Sequence, residues 1–266
     1  MPSHQVGIIG YGGFGRYLHQ AWDSHDNVTV TGISDHNPDV YSGPVAFHRH
    51  WEHLLDDRDI TIVAIATPPS THCQIAVAAM ERGKHVLIEK PLATGLTEAR
   101  KIMACQEQTG VVAGVDYMLR YNMLIKAVDS LQKTGCLGTL RRIAVENYAS
   151  DETVLRDHWL WDESVSGGLL VEHAVHFLDL ANFLTGSTPA QVTGYAAARP
   201  DGREDRVFAA VQHDNGVTAT HYHDFSRPGF FERTEIRLIY DLAEIELQGW
   251  IPLAGRIRVL VNAETK

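Results

Sequence analysis

The chain has 266 residues, 44% hydrophobic and 21% charged, and a formal net charge of −10. That length holds two modest domains or one large one, and the composition is globular. The acidic balance, without a basic block or an Arg-rich helix, argues against nucleic acid as a partner, and no apolar run approaches the roughly 18 residues of a membrane helix.

Cys73, Cys105 and Cys136 show no paired spacing, which fits unpaired thiols in a reducing compartment. After "MPSHQ" the chain goes straight into "VGIIG", with no secretory leader pattern. A soluble, cytoplasmic protein that neither spans nor lies on a membrane is expected.

The first β-rich run, "VGIIG", leads into Gly10-Tyr11-Gly12-Gly13-Phe14-Gly15 and then a helical pattern. This is G-x-G-x-x-G between a strand and a helix. Gly10 permits the tight turn, Gly12 lets backbone approach a pyrophosphate, and Gly15 lets helix pack on strand. The helix amino end presents free N–H groups to phosphate. The second strand, "VTVTGIS", ends at Asp35. A carboxylate there accepts hydrogen bonds from both adenosine ribose hydroxyls and repels a 2′-phosphate, so NAD is favoured. The bland alternative is a turn residue in "SDHNP", and His36 with more distant arginines leaves room for NADP.

The alternation continues. "HWEHLLDD" reads as a helix, "ITIVAIA" as a buried strand, "STHCQIAVAAMERG" as a helix and "HVLIE" as a strand. "GLTEARKIMACQEQTG" is a helix and "VVAGVDY" a strand. Strands alternating with helices imply a parallel, doubly wound sheet over residues 1–119. The stiff loop "TPPSTH" follows a strand, which puts Thr67, Pro68 and His72 at the cofactor crevice. "EKP" follows another. The residue before a proline is pushed towards extended geometry, so Glu89 and Lys90 belong to the crevice end of their strand.

From residue 120 to 266 the pattern changes. "MLIKAVDSLQKTG" reads as a helix and "LRRIAVENYAS" as a long strand. A polar loop with Trp159 and Trp161 precedes "GLLVEHAVHFLDLANFLTG", read as one apolar helix closed by Gly186. Then come "QVTGYAAA", "RVFAAVQH", "VTATHYHDF", "ERTEIRLIY", "AEIELQGW" and "RIRVLVN", strand-like runs separated by turn signals. Short turns between consecutive strands make an antiparallel sheet. The fold class is therefore α/β, an amino-terminal Rossmann sheet followed by an α+β domain with a large, mostly antiparallel open sheet. Strands such as "RVFAAV" and "TEIRLIY" look too apolar to face water on both sides. A homodimer or homotetramer through the sheet is expected, the alternative being a covering carboxyl-terminal segment.

On a continuous helix, Glu172, His176 and Asp179 fall at i, i+4 and i+7 on one face, with His173 about 100° from Glu172. Burying unpaired charges is unfavourable. The bland reading is a satisfied core histidine with carboxylates capping nearby groups. A metal site is another alternative, although the order matches neither H-E-x-x-H nor H-x-x-E-H.

The ordered set of G-x-G-x-x-G, a strand-ending Asp, "TPPSTH", "EKP", "VDYMLRYN" and "GGLLVEHAVHFLD" resembles the glucose–fructose oxidoreductase / inositol dehydrogenase / MocA family, from Val6 to about Ile251. "EKP" and the Gly-Gly…His-x-x-Asp helix are its specific parts. The resemblance implies a Rossmann domain, then a domain with a large, mostly antiparallel sheet. It implies NAD(P)-dependent hydride transfer at a hydroxyl-bearing carbon, usually of a sugar or cyclitol. Carried over, the catalytic lysine is Lys90 and the helix histidine is His176. Family members close to inositol dehydrogenase usually carry Asp at the position of Glu172 and Gly at that of Ala174. The family's last segment has no counterpart after "RIRVLVNAETK".

Lys90 then stabilises charge on the reacting oxygen, and His176 takes the hydroxyl proton. Glu172 orients the imidazole or binds a substrate hydroxyl. Tyr117, Arg120, Trp159, Trp161 and His173 are candidate substrate contacts, and His221 and His223 share one face of a strand. Two other readings stay open. One is a reductase of a non-sugar carbonyl or conjugated substrate; the other is a nucleotide sensor without turnover.

Overall fold

Strand and helix alternate through residues 4–116 because short apolar runs are cut by polar, proline-bearing or glycine-bearing turns. The computed structural model describes residues 4–260. Strands β1 (His4–Ile9), β2 (Val28–Ser34), β3 (Ala46–His48), β4 (Ile62–Ile65), β5 (His85–Ile88) and β6 (Ala113–Val115) are joined by helices. These are α1 (Gly13–Trp22), α2 (Trp51–Leu55), α3 (His72–Glu81) and α4 (Leu96–Thr109). The sheet order is β3-β2-β1-β4-β5-β6, and the paired strands are parallel. Ile8 packs with Leu18 and Ile33, whereas Ile9 packs with Ile65, Ile75 and Ile88. Adjacent β1 residues thus feed two separate cores, which is the physical content of a doubly wound sheet. The order reverses between β1 and β4, so the carboxyl ends of these strands open a crevice. The short α6 (Glu163–Ser166) groups with this first unit, which comprises the chain to Asp116 and Asp162–Gly167.

The second unit comprises Tyr117–Trp161 and the chain from Gly168 onward. Its helices are α5 (Met123–Lys133), α7 (Leu169–Glu172) and α8 (Val175–Thr185). Its strands are β7 (Leu140–Tyr148), β8 (Pro189–Ala198), β9 (Glu204–His213), β10 (Thr218–Asp224), β11 (Arg233–Tyr240), β12 (Ala243–Gln248) and β13 (Ala254–Val259). The sheet order is β13-β12-β11-β7-β10-β9-β8. Pairing is antiparallel except between β7 and β10, which run parallel. The sheet is thus mostly antiparallel, as expected, and β7 enters it between β10 and β11. The expected "RIRVLVN" strand ends at Val259, and its last two residues, Val261 and Asn262, lie outside the described residues.

One face of this sheet carries the core. Ile143, Val145, Ala219, Ile236 and Leu238 pack under Ile125 and Val128 of α5 and Phe177, Leu180 and Leu184 of α8. The alternate residues form a mixed surface, charged at many positions but apolar at Ile239, Phe208 and Ala210. Along β11 the buried Thr234, Ile236, Leu238 and Tyr240 alternate with Arg233, Glu235 and Arg237, and the partly exposed positions of β9 include Arg206 and Phe208. The period of two puts charge and aromatics on the open side. Among the described residues no helix is long and apolar enough to cross a membrane.

Candidate functional site

In the first unit the glycine loop is built by steric necessity. A Cβ on Gly10, whose φ is +90°, would stand 2.5 Å from the Ala66 carbonyl oxygen, and one on Gly15 would stand 2.0 Å from the Gly10 oxygen. Only glycine allows β1, β4 and α1 to approach this closely. Gly12 and Gly13 differ, because a Cβ on either would meet nothing within 4 Å. Space remains in front of the α1 amino end, where N–H groups await an anion. Phe14 packs on Tyr17. Asp35 follows β2 with its carboxylate pre-aimed, Oδ2 accepting from the Tyr11 N–H (2.7 Å) and Oδ1 from the Asn37 N–H (2.9 Å). Open backbone facing a helix amino end, with a fixed carboxylate at the next strand, fits a dinucleotide.

The loop after β4 is tied to the segment after β5. The buried His72 ring places Nδ1 2.8 Å from the Pro91 carbonyl oxygen and Nε2 2.8 Å from that of Thr67. A neutral imidazole donates to only one of them at a time. Burial pushes the ring below the ordinary imidazole range and nearby Lys90 acts the same way, while the two carbonyls pull it upward. Thr71 further braces the loop by donating to the Thr67 hydroxyl (2.6 Å). His72 is thus a staple that holds Thr67, Pro68 and the "EKP" turn in register, with Lys90 half-buried just beyond β5. Glu89 stands beside Asp116, the residue that follows the adjacent β6. Burial, then the Asp116 charge, push the Glu89 carboxyl up to about 8.

In the second unit the expected single helix is broken. α7 ends at Glu172, α8 begins at Val175, and His173 and Ala174 form the joint. The Ala174 N–H donates back to Leu169 across five residues, and the Phe177 N–H donates to Ala174 across only three. The i, i+4, i+7 row expected for Glu172, His176 and Asp179 is therefore interrupted after its first member. All three are buried, at 9, 5 and 8% exposure.

Asp179 is clamped by Arg120, Nε to Oδ2 at 2.7 Å and Nη2 to Oδ1 at 2.5 Å. The guanidinium lies over the Tyr117 and Phe183 rings. Arg120 thus has a structural partner, anchoring the 3₁₀ turn Met118–Tyr121 to α8. Burial, then the Asp179 charge, push the Tyr117 hydroxyl upward.

His173 stacks on Trp250 (4.5 Å between centroids) and meets Phe225 edge-on (4.4 Å). Its Nε2 lies 2.8 Å from Asn147 Oδ1, and the Asn147 amide donates to the Thr234 hydroxyl at 2.7 Å. His176 meets the edge of the same Trp250 (5.3 Å). A cavity of about 500 Å³ opens against Asn147, His173, Phe225, Thr234 and Trp250.

Neither loop tryptophan lines this cavity. The Trp161 ring lies beneath the Arg199 and Arg203 guanidinium groups and its N–H donates to the Leu155 carbonyl, while Trp159 packs on His158. His221 and His223 are fully buried. Burial, then a neighbouring histidine, push them down to about 4 and about 3. Among the described residues no three His, Cys, Asp or Glu side chains converge as a metal site. Sequence reasoning missed Asn147, Phe225, Thr234 and Trp250, which come from strand ends and a turn far from α8 in sequence and carry no local motif.

Comparison with known proteins decides the family. Residues 4–117 match the oxidoreductase family with an NAD-binding Rossmann fold, and residues 125–239 match the GFO/IDH/MocA carboxyl-terminal domain. The chain belongs to this family. It is 28% identical over 211 residues to the uncharacterized oxidoreductase YdgJ of Escherichia coli strain K12, covering 78% of this chain and 61% of that one. It is 30% identical over 187 residues to a 1,5-anhydro-D-fructose reductase of Ensifer adhaerens, covering 67% of this chain and 56% of the relative. The chain thus spans about three fifths of these relatives' length. Levoglucosan dehydrogenase in complex with NADH and levoglucosan shares the fold, with a TM-score of 0.90 at 21% identity, over 98% of this chain and 78% of that one. Family membership, the glycine loop and Asp35 agree on a nicotinamide dinucleotide as cofactor.

Proposed function

We propose that the chain is an NAD-dependent dehydrogenase or reductase acting at a hydroxyl-bearing carbon of a sugar, cyclitol or related compound. The observation that carries the reading is the "EKP" turn. Lys90 stands just beyond β5, held by a buried His72 that bonds the turn and the neighbouring crevice loop alike. Such an investment of buried hydrogen bonds suits a side chain whose position matters to chemistry.

Gly10, Gly12, Gly13, Phe14 and Gly15 receive the pyrophosphate, and Asp35 receives the adenosine ribose. Thr67, Pro68 and Glu89 line the path towards the nicotinamide end. When bound, NAD supplies the hydride acceptor. Lys90 donates a hydrogen bond to the reacting oxygen and stabilises its developing negative charge. His176 takes the hydroxyl proton. Glu172, buried at the end of α7, orients the His176 imidazole or binds a substrate hydroxyl. The second unit's cavity supports a polyol, because polar side chains, Asn147, His173, Glu232, Arg233 and Thr234, line it beside the apolar Trp250 and Phe225. Of the relatives, the one from Ensifer adhaerens is a sugar-derivative reductase by name.

The test is nicotinamide fluorescence with a panel of polyols and aldoses. Turnover of at least one supports the reading; tight NAD binding with no turnover across the panel favours a sensor. We also read the protein as a cytoplasmic homo-oligomer that meets its copies through the open sheet face. The free cysteines Cys73, Cys105 and Cys136 support the compartment. The aromatic pair Tyr195 and Phe208, stacked at 5.5 Å with Tyr195 exposed, supports the interface. Light scattering that finds a monomer at micromolar concentration overturns the assembly.

A further inference from the structure

β7 ends at Tyr148 and β11 begins at Arg233. The antiparallel register sets these two residues opposite each other, with Asn147 opposite Thr234 one step inside. Side chains alternate across a sheet, so the buried Asn147 and Thr234 face the core side, and Tyr148 and Arg233 reach the open side. The cavity of about 500 Å³ takes in both sides of this strand end, because Tyr148, Ser150 and Arg233 line it together with Asn147 and Thr234.

Two arginines meet on the Tyr148 ring. The Arg233 guanidinium lies 4.6 Å from its centroid and that of Arg227 5.2 Å. Two cations gathered on one ring repel each other unless an anion joins them. The nearby carboxylates are committed elsewhere. Glu232 accepts from the Ser150 N–H (2.7 Å), Glu152 from the Gly229 N–H (3.2 Å) and Glu146 from the Tyr148 hydroxyl (3.3 Å). Asp224 accepts from the Ser226 N–H (2.8 Å) and hydroxyl (2.6 Å). Glu235 stands 3.9 Å from Arg233 Nε, beyond a hydrogen bond. Elsewhere in this unit Arg120, Arg141, Arg199 and Arg206 are each clamped by a carboxylate at 3.1 Å or less. A guanidinium resting on an aromatic face keeps its fork of N–H donors for a carboxylate or phosphate.

We propose that the substrate is a sugar or cyclitol bearing one anionic substituent, a carboxylate or a phosphate, which Arg233 receives at the rim of this cavity with Arg227 behind it. This rests on the reading above that the cavity takes the substrate. The body of the substrate lies against Trp250 and Phe225, and its charged group meets the Arg233 fork. The Ser150 hydroxyl accepts from the Glu152 N–H (3.2 Å), which leaves its own proton to donate to the same anion. Glu232 shares the rim and repels an anion on its side, so the Arg233 side is where the charge is accommodated. The chain's net charge of −10 disfavours anions at long range. A preference for them therefore reports a local site.

The experiment measures binding and turnover separately on the intact protein, by calorimetry and by nicotinamide fluorescence. The probes are matched sets: D-glucose, D-glucuronate and D-glucose 6-phosphate, with their galactose counterparts, and myo-inositol with its monophosphate. In at least one set an anionic member should bind about tenfold or more tightly than the neutral one, the scale of a charge-assisted hydrogen bond, and whether carboxylate or phosphate gains identifies the anion. Arg233→Gln should abolish the preference, Arg233→Lys should keep part of it, and Arg227→Gln should lower it a few-fold. Arg100→Gln, which removes an exposed charge from α4, should leave it whole. Equal affinity within every set, or a preference that survives Arg233→Gln, overturns the subsite. Turnover of neutral sugars with no anionic preference overturns the subsite and leaves the dehydrogenase reading standing. An Arg233-dependent preference without turnover of any probe upholds the subsite and counts against the dehydrogenase reading.

Discussion

Lowering the pH from 7 to 5 adds protons to the unfolded second unit that its folded form refuses. His221 and His223 alternate along β10 and both face α8, with rings 6.4 Å apart and nearly parallel. They titrate at about 4 and about 3 when folded and near 6.5 when unfolded. The folded values are depressed, so the stabilisation is present above about pH 6.5 and is lost as pH falls towards the folded values. At pH 5 each ring accounts for about 2 kcal/mol, from roughly 1.4 kcal/mol per unit over the interval from 6.5 to 5. Together they remove about 4 kcal/mol, a large share of a typical domain's stability. Glu89 has the opposite sign. Its folded value is raised to about 8, so its contribution is present below about 4.5 and is lost as pH rises, and it belongs to the first unit. Comparing variants therefore isolates the histidines. Hydrogen exchange of the β7 and β10 amides, corrected for intrinsic rates, reads the opening free energy of this sheet. His221→Leu combined with His223→Leu keeps much of the volume and removes the ring nitrogens. Between pH 7 and 5 the variant should lose about 4 kcal/mol less than the unaltered chain. Equal losses would refute the claim that these rings are held neutral by burial.

Lys90→Ala and His176→Ala should each leave NAD affinity within a few-fold and lower turnover about a hundredfold or more; full turnover in folded, NAD-bound His176→Ala would move the proton acceptor to Glu172 or His173. Asp35→Ala should weaken NAD more than NADP, read by parallel calorimetric titrations, and an unmodified protein that binds NADP more tightly at physiological salt would contradict the ribose assignment. Gly15→Ala forces a Cβ to within 2.0 Å of the Gly10 oxygen. It should shift α1 and weaken dinucleotide binding by about tenfold or more, and unchanged affinity would show that the loop yields more easily than its packing implies.

The first unit was largely legible because its information is local. Glycines at fixed offsets, a strand-ending Asp35 and the "EKP" turn each occupy a few consecutive residues. β3, only three residues long, carries too little pattern to be read, and "AFH" gives no alternation. In the second unit the strands were legible but their order was not. Turn lengths speak for neighbours in sequence, and the insertion of β7 between β10 and β11 is decided by packing. The joint at His173–Ala174 was invisible because neither residue is Gly or Pro, so the pattern runs on as if the helix were continuous. The pairing of Arg120 with Asp179 spans 59 residues. Arg120 alone looked like a substrate contact and Asp179 like one member of a row on a helix, and only the fold reveals that they satisfy each other.

The break between α7 and α8 hands control of His173 from the helix to the sheet. On a continuous helix its ring direction would follow from Glu172. Instead the ring is held flat on Trp250, and its Nε2 is fixed by Asn147, whose amide is in turn fixed by Thr234 on the adjacent strand. Asn147 offers its oxygen to His173 because its nitrogen is committed to Thr234, so the ring donates from Nε2 and keeps Nδ1 as the acceptor. Such an arrangement shapes the cavity wall and does not leave His173 poised to accept a proton through Nε2. Asn147→Ala should therefore free the ring and loosen the cavity. KM for the polyol should rise about tenfold while kcat and NAD affinity stay within a few-fold, the signature of lost ground-state binding. A fall in kcat comparable with that of His176→Ala would contradict this, and would make the Asn147–His173 pair part of the proton path.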